Sequence, residues 1–168
     1  MEDIASISER SYGIILLRQN PNESPALKPR IESLQVLLVY QRTLRAERKF
    51  YWGFPKGHPE KHDLTPKETA IRELEEETGI SIDLDSIQDL DEVLQTVHIN
   101  PITQKPKVSR FWVAMLTEEQ DVKVQEEEIA DHRWCGWDEG VELLTFDDLK
   151  RLLCRVRGLM ASCKELVG

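Results

Sequence analysis

The sequence predicts one compact domain of the α/β or α+β class. Three observations carry that reading. The 168 residues suit a single domain with a full hydrophobic core. Two strongly apolar runs, GIILL and VLLVY, have the length of strands. One helix has both of its ends marked by capping residues. The domain is expected to span residues 1–168 without a linker, an internal repeat or a low-complexity segment.

The elements follow in order. Ser11–Leu17 (SYGIILL) is rich in β-branched and apolar residues and reads as a strand. Arg18–Arg30 carries three prolines among turn formers and reads as a loop. Ser33–Gln41 (SLQVLLVYQ) is a second strand, and its near-continuous apolar run suggests burial on both faces. Arg42–Lys49 is a basic, exposed connection. FYWGFPKGH, Phe50–His58, starts as an aromatic strand and breaks at Gly53, Pro55 and Gly57. The clearest helix runs from Thr65 to Thr78. Thr65 is its N-cap, Pro66 its first residue, Glu68 the partner in a capping box, and Gly79 its stop. Val93–Ile99 and Lys107–Leu116 are two strands joined by the polar loop Asn100–Pro106. DVKVQEEEIAD is a charged loop and HRWCGW a short strand. DEGVELL and FDDLKRLLCRVRGLM are helical by period.

Composition excludes several classes. There are 22 basic and 31 acidic residues, for a net charge of −9. That argues against a sequence-independent grip on a nucleic-acid backbone, which needs clustered Lys and Arg. A small phosphate-bearing substrate stays open if metal ions supply the positive charge. The three cysteines, Cys135, Cys154 and Cys163, form no CxxC pair and read as reduced thiols in a cytoplasmic protein. The four histidines lack zinc-like spacing with them. The acidic N-terminus, MEDIASISER, has no positive segment before an apolar run, so no signal peptide is expected. The apolar runs are far too short to span a bilayer, and the chain is expected to act as a monomer.

The marked helix is acidic. Residues three and four apart share a helix face. Ile71, Leu74 and Thr78, with Ala70 beside them, make a stripe that can pack on a sheet. Glu73, Glu76 and Glu77 cluster on another face. Three carboxylates so placed destabilise an isolated helix by a few tenths of a kcal/mol per pair. Three oxygens converging on one point are what a hard cation requires, and Mg²⁺ and Mn²⁺ prefer carboxylate and water ligands with substrate phosphates completing the shell. An acidic run is more often only a solvated face, and on the helix alone the two readings stand evenly.

The surroundings of the helix decide between them. RELEEETGI, Arg72–Ile80, resembles the second half of the Nudix box, R-E-U-x-E-E-x-G-U with U apolar. Arg72, Glu73, Leu74, Glu76, Glu77, Gly79 and Ile80 all match, and Gly57 lies upstream as the opening glycine. There is one departure. Arg72 lies fifteen positions after Gly57 where the family box has fourteen, so the loop HPEKHDL carries one extra residue. Asp63 is the expected stand-in for the family's loop glutamate.

The resemblance implies an α/β/α sandwich with a mixed β-sheet and a hydrolase that needs Mg²⁺ or Mn²⁺. It implies Glu73, Glu76 and Glu77 as metal ligands, with Gly57 beside them and Arg72, Glu76 and Glu77 as catalytic residues. A metal-acidified water attacks phosphorus, and a carboxylate in reach takes its proton. Glu126, Glu127 and Glu128 precede HRWCGW, and Glu128 stands at the place of a remote metal-facing glutamate in relatives.

WGFPKGHPE further resembles the entry to the box in asymmetric bis(5′-nucleosyl)-tetraphosphatases and in diphosphoinositol polyphosphate phosphatases. With KVSRFWVAML and HRWCGWDEGVELLTFDDLKRLL, the similarity covers roughly Ser11 to Leu153. It implies cleavage of a small-molecule nucleoside polyphosphate, first of all diadenosine tetraphosphate to ATP and AMP. Lys56 and Lys107 are the expected phosphate contacts, and His58 lies near the metal site. Where several relatives hold adenine with a tyrosine, this chain has His132, and Trp52 and Trp134 remain candidate stacking platforms. The basic cluster Arg42, Arg45, Arg48 and Lys49 is the feature that would serve a diphosphoinositol phosphate. Removal of pyrophosphate from an RNA 5′ end is a further alternative, and a non-catalytic nucleotide-binding module a remoter one, since all three helix glutamates are present.

Overall fold

The sheet is organised by two long strands running side by side in the same direction. The computed structural model describes residues 9–43 and 49–168. In it β1 (Glu9–Gln19) pairs in parallel with β6 (Pro106–Leu116), from Glu9 opposite Lys107 to Arg18 opposite Leu116. β5 (Leu94–Ile99) pairs antiparallel with the outer edge of β6. β2 (Leu34–Arg42) pairs antiparallel with β1 through Leu34–Val36 alone, and with β7 (Ile129–Cys135) through most of its length. Among the described residues this makes a mixed seven-stranded sheet.

β1 and β2 part company after their short pairing, and residues 50–57 bridge them. β3 (Phe50–Gly53) pairs with β2, and β4 (Lys56–Gly57) pairs with β1 at Tyr12 and Gly13. Gly13 makes the close approach possible. A Cβ there would lie 2.3 Å from the Pro55 carbonyl oxygen, which instead accepts from Ile14 N at 3.1 Å. The break at Gly53 and Pro55 thus carries the chain from one strand to the next and sets Lys56–Gly57 beside the acidic helix.

Helices cover both faces, giving the expected sandwich. α1 (Pro66–Thr78) lays Ala70 and Leu74 on Ile14, Leu16, Leu37 and Ala114. α2 (Trp137–Leu143) and α3 (Asp147–Ser162) cover the other face, where Leu149, Leu153, Val156 and Met160 meet Ile15, Leu17, Val36 and Val113. Burial of Ile14–Leu17 and of Val36–Val39 explains why these strands read as unbroken apolar runs and not as alternation. Burying one such leucine contributes about 1.5–3 kcal/mol.

α1 begins and ends where its caps place it. Thr65 Oγ1 accepts from Glu68 N at 3.2 Å, and Gly79 closes the helix at φ 73° with its N–H on Glu75 O. Glu68 reaches one residue further back than a capping box requires, accepting from Leu64 N at 2.9 Å. Two segments differ from expectation. β7 starts at Ile129, inside the stretch read as a charged loop, because Ile129 is fully buried and pairs with Gln41. α2 starts at Trp137, read as the end of a strand, because Trp137 is itself buried and gives its indole N–H to Ile31 O at 2.7 Å.

Candidate active site

The loop between Gly57 and α1 is tied by one carboxylate. Asp63 Oδ1 and Oδ2 accept from Arg72 Nε and Nη2 at 3.0 and 2.9 Å, a paired fork geometry. Asp63 Oδ2 also accepts from Thr69 Oγ1 and Glu60 N, each at 2.9 Å. The Arg72 guanidinium holds the Asp63 carboxyl well below the usual carboxylate range. The extra residue in the loop is absorbed here: an aspartate one position off the family spacing still reaches the arginine. Asp63→Asn is expected to cost about 2–3 kcal/mol in urea unfolding. That is less than the ~3–5 kcal/mol of a fully broken buried pair, because Arg72 keeps His58 O at 2.9 Å, Glu73 at 3.1 Å and Glu76 at 3.0 Å.

α1 then offers its carboxylates at three depths. Glu76 is exposed, Glu73 half-buried and Glu77 only 4% exposed. Glu77 therefore does not lie on a solvated face. It sits beside the stripe that packs on the sheet, with Oε2 accepting from Lys56 N at 3.2 Å. Burial, then the charge of Glu73, pushes its carboxyl up to about 9. Burial also raises Glu73, against the pull of Arg72. Gly57 makes room for Glu73, since a Cβ at Gly57 would fall 2.0 Å from the Glu73 carboxyl carbon.

Glu128 arrives from a distant loop that α1 itself holds. Lys123 N donates to Thr78 O at 2.8 Å and Gln125 N to Glu77 O at 3.1 Å. On the other side Arg42 N donates to Glu128 O and Arg42 Nε to Glu127 O. The charge of Glu128 pushes Glu73 and Glu77 upward as well, so the three lie within electrostatic reach of one another.

These side chains line one open cleft of about 1010 Å³. Glu73, Glu76, Glu77, Glu128 and Gly57 lie in it together with Lys56, His58 and Lys107. His58 Nδ1 lies 3.0 Å from Arg10 O. Burial lowers the Lys107 ammonium from its ordinary value, with Glu9 partly offsetting it. Of the basic cluster, Arg42 and Lys49 line the cleft, while Arg45 and Arg48 fall outside the described residues. His132 is not among the residues lining the cleft. It pairs with Val39, and Trp134 pairs with Leu37, so the two-residue period puts both on the sheet face that α1 packs against. Trp134 is spoken for there, beneath the Arg18 guanidinium at 4.1 Å.

The lining also includes residues that carried no signal in the sequence. Tyr51 and Phe146 meet at 5.2 Å between centroids, because the α2–α3 turn pairs with β3 through Thr145 N to Trp52 O and Trp52 N to Thr145 Oγ1. Ser11 and Ser109 share a buried hydrogen bond of 2.7 Å beside Thr96. The strand register brings these residues together across long sequence separations, so no local pattern announces them.

The donor set suits a hard divalent cation. It is all carboxylate, its member Glu77 is buried, which disfavours an uncompensated charge, and Gly57 has no side chain to crowd Glu73. As placed, no group of three acidic or His side chains among the described residues is close enough to hold an ion. Arg72 Nη1 lies instead between Glu73 and Glu76. A helix carboxylate row, a glycine turn and two lysines thus lie in one cleft. The sequence matches the NUDIX domain model over residues 14–155. It is 30% identical over 148 residues to the asymmetrical bis(5′-nucleosyl)-tetraphosphatase of Rattus norvegicus, covering 86% of this chain and 90% of the relative. Identity to the enzyme of the same name from Sus scrofa is 32% over 149 residues, with the same coverage. A solved structure, the Caenorhabditis elegans Ap4A hydrolase binary complex, superposes with a TM-score of 0.72 over 92% of this chain and 99% of that one at 20% identity, a likeness of fold. The chain belongs to the Nudix family and is a Nudix hydrolase. Enzymes of this family generally use divalent metal ions. Among the described residues no helix is long and apolar enough to cross a membrane.

Proposed function

We propose that this single-domain Nudix hydrolase cleaves diadenosine tetraphosphate asymmetrically to ATP and AMP, using Mg²⁺ or Mn²⁺, as a cytoplasmic monomer. The observation that carries the reading is the pairing, within one cleft, of the α1 carboxylates with Lys56 and Lys107. The cleft volume lies at the upper end of the ~300–1,000 Å³ range of small-molecule sites, which suits a ligand with two nucleosides. The relatives named above support the substrate class, and the free thiols of Cys135, Cys154 and Cys163 agree with a reducing compartment.

In this reading Glu73, Glu76, Glu77 and Glu128 would hold the metal. Bound there, a divalent ion polarises the phosphate and acidifies a water. Lys56, as a compact point charge on a turn held between β1 and α1, binds the phosphate chain, and the half-buried Lys107 does so from β6. Gly57 lets Glu73 lie against the β4 backbone. Arg72, fixed by Asp63, orients the two glutamates it touches. The cleft is poorly supplied for a diphosphoinositol phosphate: among the described residues its Lys and Arg lining is Arg42, Lys49, Lys56 and Lys107, against five glutamates.

The test is product analysis by anion exchange. Diadenosine tetraphosphate with Mg²⁺ is expected to give ATP and AMP in equal amounts, and none after chelation. Two molecules of ADP, or release of phosphate only from a diphosphoinositol phosphate or a triphosphorylated RNA run in parallel, would overturn the assignment.

A further inference from the structure

A row of aromatic and cationic side chains crosses β3, β2 and β7 beside the cleft. Tyr40 stands opposite Trp52 and Arg42 opposite Phe50 in the β2–β3 pairing. The Tyr40 and Phe50 ring centroids are 5.3 Å apart, and Tyr40 and Trp52 are stacked at 5.2 Å with 27° between their planes. A guanidinium lies at each end: Arg42 over Phe50 at 5.6 Å and Arg133 over Trp52 at 6.0 Å. All three rings are half-buried, and both arginines are exposed. Phe50 and Arg42 also line the cleft, so the row continues from it onto the sheet surface.

Phe54 against Phe111, by contrast, is fully buried in the core. This row is left partly open to solvent, and two cations flank it in a chain of net charge −9. Bases stack on aromatic faces irrespective of sequence, and guanidinium planes add to the attraction. A dinucleoside polyphosphate carries a base at each end of its phosphate chain. Lys56, the α1 glutamates, Arg42 and Phe50 line the same cleft, so a ligand whose phosphate chain is engaged at Lys56 can extend a nucleoside toward the row. His132 pairs with Val39 and lies on the other face of β7 from Arg133.

We infer that the Tyr40–Phe50–Trp52 row, with Arg42 and Arg133, docks the second nucleoside of a dinucleoside polyphosphate. The inference rests on the substrate class proposed above, and its test separates the two. Adenosine 5′-tetraphosphate has the same phosphate chain with one nucleoside. The quantity to measure is the ratio of kcat/KM for diadenosine tetraphosphate to that for adenosine tetraphosphate. Tyr40→Leu is expected to lower this ratio about fivefold or more, as loss of a stacking partner predicts. Arg133→Gln, at an exposed position that leaves folding intact, should lower it about two- to threefold. A ratio unchanged in both variants overturns the inference while leaving the substrate reading in place. So does an unchanged ratio accompanied by loss of binding to a short oligoribonucleotide, which would assign the row to RNA. Wild-type protein that hydrolyses neither compound removes the substrate reading, and the inference with it.

Discussion

Glu77→Gln is expected to lower turnover of diadenosine tetraphosphate about 10²–10⁴-fold, the range for losing a positioned catalytic group, while leaving the fold intact. Both halves follow from where Glu77 sits. Its side chain is 4% exposed and accepts the Lys56 backbone N–H. With its carboxyl pushed up to about 9, the metal-free protein holds this group neutral at pH 7. Glutamine has nearly the same shape as the neutral acid and keeps the acceptor oxygen, so the melting temperature should move by no more than a few degrees. A divalent cation, however, needs the anion, and an amide cannot supply it. The pH dependence carries a second signature. Below pH about 4.5, the ordinary value for a glutamate, folded and unfolded chains both keep the proton. As the pH rises above that, the unfolded chain releases the proton and the folded chain does not, so stability falls until the pH passes about 9. Metal-free wild type should therefore weaken across this window, with Glu73 acting in the same sense, and Glu77→Gln should flatten the slope. A variant with near-normal turnover would remove Glu77 from its assigned role.

Gly57→Ala separates function from stability by a different route. The new methyl would lie 2.0 Å from the carboxyl carbon of Glu73 and 2.3 Å from each of its oxygens. β4 is paired to β1 at this residue, so the backbone cannot easily retreat. What moves is the far end of the Glu73 side chain, which is cheap for the fold. The same movement takes the carboxylate out of the cleft, and a displacement of ~1 Å at a reacting centre costs on the order of 100-fold. Turnover is expected to fall by at least that factor, with a melting temperature close to wild type and no gain from added Mn²⁺. Retained activity would show that Glu73 works from a position other than the one beside Gly57.

Much of the frame could be read from local chemistry. Thr65, Pro66 and Gly79 fixed α1 to the residue, because caps act through hydrogen bonds and dihedral angles confined to a few neighbours. Counting forward from Gly57 through the family box also led to Asp63, and the structure pairs that carboxylate with Arg72. The depth of Glu77 could not be read. In a run of glutamates it looks solvated, and only its docking against β4 buries it. The face taken by His132 could not be read for a related reason. In a strand, orientation follows from register, and His132 takes its face from its pairing with Val39, a residue distant in sequence that no local pattern marks. Tyr51 and Phe146 were hidden because they are 95 residues apart in number and are brought together by tertiary contacts, among them the Trp52–Thr145 hydrogen bonds.

The central claim is that the α1 carboxylates hold a divalent cation. The most direct test is to titrate Mn²⁺ into the protein, with a non-hydrolysable dinucleoside tetraphosphate present, and follow the free ion by its electron paramagnetic resonance signal. Wild type should remove Mn²⁺ from solution, release it to excess Mg²⁺, and gain melting temperature in step with the ion bound. Glu73→Gln and Glu77→Gln should leave the free signal as it is in buffer with the nucleotide alone. Equal binding by wild type and both variants, or binding by none, would contradict the account.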